Sequence, residues 1–192
     1  MAQKRIGLWL IGAKGGVATT VMTGLAALAR GLVEPIGLIT ETKEFHSLNL
    51  IDWSDIVVGG HDIRNESLLD EARRMWTVSR AIPPGVLESV TPDLVDIETR
   101  LRPGTVLASG TSIQAIASLP ESKVAKTPRN IIDQIRTDIL DFAETNDVER
   151  VVVVNLTSTE PPWSSPIPDN FDELSPLLER ASESSPLPTS SL

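Results

Sequence analysis

Short, wholly apolar runs alternate along this chain with longer stretches in which apolar residues recur every three or four positions. Arg5–Ile11 reads as a buried strand punctuated by Gly12. Val17, Val21, Leu25, Leu28 and Leu32 then mark one face of a helix that Pro35 ends. Ile36–Thr40 reads as a second short strand, and Asp55–Gly60 as a third that runs into a glycine turn. Asn65 is placed to cap a helix reaching Arg74 or Trp76, with Glu66 favourable against its dipole. Thr91-Pro92-Asp93 carries the signals of another helix start: a capping residue, proline at the first helical position and an acid in the first turn. Arg102-Pro103-Gly104 reads as a turn and Thr105–Ala108 as a strand. Thr127-Pro128 opens a longer helix with Ile131, Ile135, Ile139 and Phe142 along one face, and Val151–Asn155 is the clearest buried strand.

Apolar strand, turn and amphipathic helix thus follow one another repeatedly. The order predicts an α/β fold: a Rossmann-like, doubly wound, mostly parallel sheet with helices on both faces and ligands at the C-terminal strand ends. Beyond Glu160 the composition changes, because half of the 14 prolines lie between Pro161 and Pro188 and serine becomes frequent. Residues 1–163 are therefore read as the folded domain and 164–192 as a connecting segment or tail. One helix is expected there, around Phe171–Ala181.

Composition narrows the chemistry. Apolar residues make up 41% of the chain and aromatics only 4%, so aliphatic side chains must supply the core, as suits buried parallel strands. Cysteine is absent, which removes disulfides, thiolate nucleophiles and cysteine-based metal sites together. A formal charge of −9 offers no broad basic face to nucleic acid. His46 and His61 have no ligand spacing around them, so no metal site is expected. The apolar run Ile6–Ala13 is too short to span a bilayer and breaks at Lys14-Gly15-Gly16. A buried first strand and a cytoplasmic protein are the readings it favours. Arg73-Arg74 reads as a solvated helix face, and Trp9, Trp53, Trp76 and Trp163 as packing residues.

The candidate chemistry sits in Gly12-Ala-Lys-Gly15-Gly16-Val-Ala18. Glycines let the backbone turn sharply and approach a pyrophosphate, and the free N–H groups of the following helix then face its charge. Two rivals stand beside that reading. One is a tight strand–helix turn that holds no ligand. The other is the loop of partition-type ATPases, which KGGVATT approaches while lacking the Gly-Lys pair that reaches the terminal phosphates. An acid near the end of the second strand would hold ribose hydroxyls, and Glu41 fits that place loosely, with a solvated loop carboxylate as its alternative. Asp62, directly after the third strand and behind Gly59-Gly60, is a sharper candidate; its alternative is a turn aspartate capping Arg64 or Asn65. His61 offers a general base on paper, but a lone histidine beside a turn is more often structural.

Four segments together resemble the prokaryotic branch of the inositol-3-phosphate synthase family: GAKGGVATTVMTGLAAL, DIVVGGHDIRNESLLDEARR, IDQIRTDILDFAE and RVVVVNLTSTEPP. They occur in the family's order and span about residues 6 to 163, with a loose match over 77–126. The resemblance implies an NAD-dependent isomerase acting on glucose 6-phosphate. Oxidation, intramolecular aldol closure and reduction give inositol 3-phosphate, with NAD recycled rather than consumed. It also implies that the phosphate-cradling loop falls on Lys14, Gly15, Gly16 and Val17, the cofactor-binding aspartate on Asp62, and the threonine-rich segment on Leu156, Thr157, Ser158 and Thr159. Gly16-Val17 stands where eukaryotic members carry an asparagine loop, and Asn155-Leu156 replaces an aromatic-containing pair. By the same resemblance, the catalytic residues and the strands that build a tetramer are expected beyond Leu192, so that this chain alone is inactive. The alternative from another class is a non-catalytic Rossmann nucleotide-binding module.

Overall fold

A computed structural model of the chain describes residues 5–107, 109–124, 126–157 and 168–180. Four strands form one parallel sheet: β1 (Ile6–Ile11), β2 (Ile56–Asp62), β3 (Leu101–Pro103) and β4 (Arg150–Asn155), in the order β3-β2-β1-β4. The helices are α1 (Gly16–Ala29), α2 (Leu68–Ser79), α3 (Pro84–Glu98), α4 (Thr111–Ile116), α5 (Pro128–Thr145) and α6 (Phe171–Arg180). Side chains of a strand alternate between faces, and here they divide the core in two. Leu8 and Leu10 of β1 and Val58 of β2 join α1, α2 and α3 on one face, around Met22, Leu68, Val90 and Leu94. Trp9 and Val57 meet Phe142 of α5 on the other. The expected α/β architecture, with parallel strands and both faces covered, is the one observed.

Several elements fall where the hydrophobic pattern places them. Thr127 caps α5 by accepting from Asn130 N at 3.2 Å, and Ile131 and Phe142 are buried beneath it. The Phe142 ring fills the space that Gly7 and Gly59 leave on the sheet, where added Cβ atoms would lie 2.6 and 2.9 Å from it. α6 occupies Phe171–Arg180, within one residue of expectation.

Other elements depart from expectation, each for a physical reason. α1 buries Ala18, Thr19, Met22, Thr23, Ala26 and Ala27, whereas Val17 and Val21 of the expected stripe are 64% and 42% exposed. A helix pressed between β1, α2 and α3 admits mostly small side chains on its inner face, so the bulkier stripe turns outward. It ends at Ala29 rather than near Pro35, because Gly31 at φ 64° closes it: Gly31 N donates to Leu28 O and Leu32 N to Ala27 O. Ile36–Thr40 forms no strand; the sheet position beside β2 belongs to β3, and Ile36 is 88% exposed in a run of turns.

The cap of α2 is Ser67, accepting from Asp70 N at 3.0 Å, instead of Asn65. α3 begins at Pro84 and runs through Pro92, so Thr91-Pro92-Asp93 is helix interior. Burial of Leu87, Val90, Leu94 and Ile97 along one face outweighs the lost Pro92 N–H. The third piece of sheet is Leu101–Pro103, which pairs with Gly60–Asp62, while the described part of Thr105–Ala108 is not strand. β4 is an edge strand in this sheet: it pairs with β1, and Val152 and Val153 are 45% and 50% exposed. Its four valines thus mark a strand correctly without marking a fully buried one. No helix among the described residues is long and apolar enough to cross a membrane.

Candidate functional site

The parallel register brings three chain segments to one end of the sheet. Ile11 is opposite His61 on β2 and Asn155 on β4, so the glycine turn after β1 emerges between Asp62 and Leu156. Leu156 N donates to Ile11 O at 2.9 Å. Gly12, at φ 84°, passes so close that a Cβ there would lie 3.4 Å from the Leu156 carbonyl. Thr157 follows, with its amide and hydroxyl both donating to Asn155 Oδ1 at 3.0 and 2.8 Å. Gly12, Lys14, Gly15, Gly16, Val17, Asp62, Leu156 and Thr157 are therefore gathered at the strand ends; Ser158 and Thr159 lie outside the described residues.

Following each backbone amide of the turn shows which remain for a ligand. Gly12 N and Ala13 N both donate to His61 O at 2.9 Å, Lys14 N to Asp62 Oδ2 at 2.6 Å, and Gly15 N to Gly12 O at 2.9 Å. The first bond along α1 runs from Thr19 N to Gly15 O. Gly16, Val17 and Ala18 precede it, and among the described residues no backbone carbonyl takes their amides. Gly15, the N-cap, brings no side chain, and no acid stands in the first turn. The positive end of the helix dipole is thus left open beside Gly16 and exposed Val17. These features fit the pyrophosphate of a dinucleotide.

The side chains nearby are mostly committed to holding this turn. Lys14 is buried, and its ammonium pairs with Glu98 Oε1 of α3 at 3.0 Å. It therefore does not play the phosphate lysine of an ATPase loop. Asp62 accepts from Lys14 N, from Ile63 N at 2.8 Å, and from Arg64 N and Nε at 2.9 and 3.2 Å. Glu41 sits exposed in a 3₁₀ turn, Ile39–Glu41, with no second strand ending beside it.

His61 is buried rather than exposed, because β2 continues through it to Asp62. The Trp9 indole N–H donates to His61 Nδ1 at 3.0 Å. Indole nitrogen can only donate, so Nδ1 is unprotonated and the ring proton resides on Nε2, 2.9 Å from Asp138 Oδ2. Burial lowers the His61 pKa below the ordinary imidazole value, and nearby Arg102 adds to this; the Asp138 hydrogen bond and charge oppose it. A neutral imidazole with both nitrogens engaged is a structural tie between β1, β2 and α5. Sequence reasoning missed this tie, although the parity of β2, which places His61 on the same face as Val57 and Gly59, carries the signal.

Parallel strand ends around a glycine turn and an open helix N-terminus define a dinucleotide-binding α/β domain. Residues 6–192 match the NAD-binding family model described as myo-inositol-1-phosphate synthase, and the chain belongs to that family. NAD is accordingly the dinucleotide indicated for this domain. Inositol-3-phosphate synthase 1 of Bacteroides thetaiotaomicron is 32% identical over 173 residues, covering 83% of this chain and 38% of the relative. Inositol-3-phosphate synthase of Dictyostelium discoideum is 23% identical, covering 93% and 39%. The solved structure of inositol-3-phosphate synthase from Caenorhabditis elegans superposes with a TM-score of 0.71 at 16% identity, over 92% of this chain and 39% of that one. A myo-inositol-1-phosphate synthase-related protein from Thermotoga maritima gives 0.55 at 20% identity, over 94% and 42%. The chain thus spans about two-fifths of the relatives it matches.

Proposed function

We propose that this chain forms the NAD-binding part of an enzyme that isomerises glucose 6-phosphate to inositol 3-phosphate. The observation that carries the reading is the distribution of amides in the glycine turn: four are spent inside the protein, and those of Gly16, Val17 and Ala18, at the start of α1, have no backbone acceptor among the described residues. Bound there, NAD would supply the oxidation and the later reduction that an isomerisation of this kind requires. The chain's own residues bind and orient it. Gly16 and Val17 amides hold phosphate, Gly12 lets the cofactor backbone pass, and Leu156 and Thr157 line the crevice beside β4; Ser158 and Thr159, outside the described residues, are expected cofactor contacts by the same reading. In this reading the substrate is handled by parts of the family's fold that the chain does not span. Homo-oligomer assembly and a cytoplasmic location belong to the same reading.

Val17→Pro provides the test. Proline removes one amide that has no helical acceptor, in a first turn where its ring is tolerated, so the fold should persist. Losing one hydrogen bond to a charged phosphate costs about 1.5–3 kcal/mol, which corresponds to a roughly tenfold to hundredfold rise in the NADH dissociation constant. The measurement is NADH fluorescence titration of the chain and the variant, with circular dichroism confirming the fold. An unchanged dissociation constant, or no NADH binding by the original chain at millimolar cofactor, would overturn the reading.

A further inference from the structure

The acid that ends the strand beside β1 ordinarily reads the ribose hydroxyls of a bound dinucleotide. Here that acid is Asp62, and its geometry suits another task. Its side chain is 4% exposed, and five donors converge on it: the amides of Lys14, Ile63 and Arg64 and the Nε and Nη2 of Arg64. An ionised carboxylate has about four acceptor positions, so little capacity remains for a hydroxyl. The bond from Lys14 N, at 2.6 Å, is the shortest of the five and ties β2 to the middle of the glycine turn. It directs the Lys14 amide inward while His61 O takes the two amides before it. With these three amides drawn inward, the turn leads to Gly16, whose amide has no backbone acceptor among the described residues.

We infer that Asp62 is a positioning residue: it shapes the phosphate-receiving turn through the Lys14 amide and does not read the ribose. This rests on the dinucleotide reading above and deepens it. Two consequences separate the role from that of a ribose ligand. A residue acting through the turn affects every dinucleotide that uses the same phosphates, so its loss weakens NADH and NADPH by one factor. Asparagine at this position keeps an oxygen for Ile63 and Arg64, but its NH₂ then opposes the Lys14 N–H. Asparagine therefore fails to rescue a turn-shaping role, whereas it would still bond a ribose hydroxyl.

The experiment titrates NADH and NADPH into the chain and into Asp62→Asn and Asp62→Ala, with the Lys14 amide followed by ¹H–¹⁵N spectroscopy in the cofactor-free protein. The expected result is a downfield, exchange-protected Lys14 amide in the original chain. Both variants should lose at least tenfold in affinity for each cofactor, with the NADH-to-NADPH ratio kept within twofold. A shift of that ratio toward NADPH, or full affinity in Asp62→Asn, would overturn the inference. So would a solvent-exchanging Lys14 amide in the original chain, a measurement that needs no variant to fold. If the original chain binds neither cofactor while the Lys14 amide is protected, the dinucleotide reading fails and the geometry of the turn stands.

Discussion

Replacing Trp9 with phenylalanine isolates the tie beneath the glycine turn. Trp9 is completely buried, its indole N–H donates to His61 Nδ1, and its ring lies edge-on to both His61 and Phe142 at 5.0 Å between centroids. Phenylalanine leaves Nδ1 as a buried acceptor without its donor, which costs about 1–3 kcal/mol. The smaller ring also leaves a void against Phe142, worth roughly 1 kcal/mol more. A total of roughly 2–4 kcal/mol is a large part of the 5–15 kcal/mol that stabilises a typical domain. For a chain of this length it corresponds to a Tm lower by roughly 5–15 °C. The loss should also depend on pH. Without the Trp9 donor, Nδ1 becomes open to a proton, and although burial and Arg102 still oppose the imidazolium, Asp138 favours it. The variant should therefore recover part of its deficit at pH 5.5 relative to pH 8. Urea unfolding followed by circular dichroism at both pH values measures this directly. A deficit below about 0.5 kcal/mol, the range of neutral surface changes, would refute the reasoning. An equal deficit at the two pH values would do the same.

Two further outcomes follow from the same geometry. Burial holds the folded-state pKa of His61 below its unfolded value of about 6.5, so the unfolded chain binds more protons in between. The contribution of His61 to stability is thus fully present above about pH 6.5 and is lost as pH falls through the lower folded value. Urea midpoints between pH 8 and 5 should show the decline in the original chain, and a His61→Gln variant with the same profile would refute the assignment. Gly60→Ala places a Cβ 2.1 Å from Leu10 O and 3.0 Å from the Ala13 Cβ, a collision with backbone that no rotamer relieves. It should cost at least about 3 kcal/mol, and an unchanged thermal midpoint would refute this.

The parts of the fold legible in the sequence are those whose local pattern agrees with their final burial. α5 shows this agreement: a capping threonine, proline at the first position and one isoleucine-rich face that meets the sheet. β1 and β2 are similar, being apolar runs interrupted by glycine only where another ring or backbone comes close. The errors arise where tertiary contact overrides local signal. Thr91-Pro92-Asp93 has every mark of a helix start, yet the apolar face of α3 runs unbroken from Leu87 to Ile97 across it. In α1 the larger aliphatics form the better periodic stripe, but close approach to the sheet selects the alanines and threonines instead. Ile36–Thr40 and Leu101–Pro103 compete for the place beside β2, and nothing within either segment announces the winner.

The candidate site shows the same division at the scale of single atoms. The spacing Gly12 to Gly15 departs from the common dinucleotide pattern, but the structure gives it a reason. Gly15 N closes onto Gly12 O, and a Cβ at Gly15 would lie 3.1 Å from that same oxygen. The turn is therefore a closed loop that ends on a helix start, and its glycines serve its own closure before they serve a ligand. Of the four amides the turn spends, three are taken from outside the motif, by His61 O and the Asp62 carboxylate. The motif brings a helix start to the strand ends, and β2 takes the amides of Gly12, Ala13 and Lys14 inside the protein. Lys14 illustrates the consequence: it stands in the middle of the motif, yet its amide is held by β2 and its ammonium by α3. A residue's place in a phosphate-binding motif and the freedom of its amide are thus separate properties: Lys14 has only the first, whereas the amides of Gly16, Val17 and Ala18 have no backbone acceptor among the described residues.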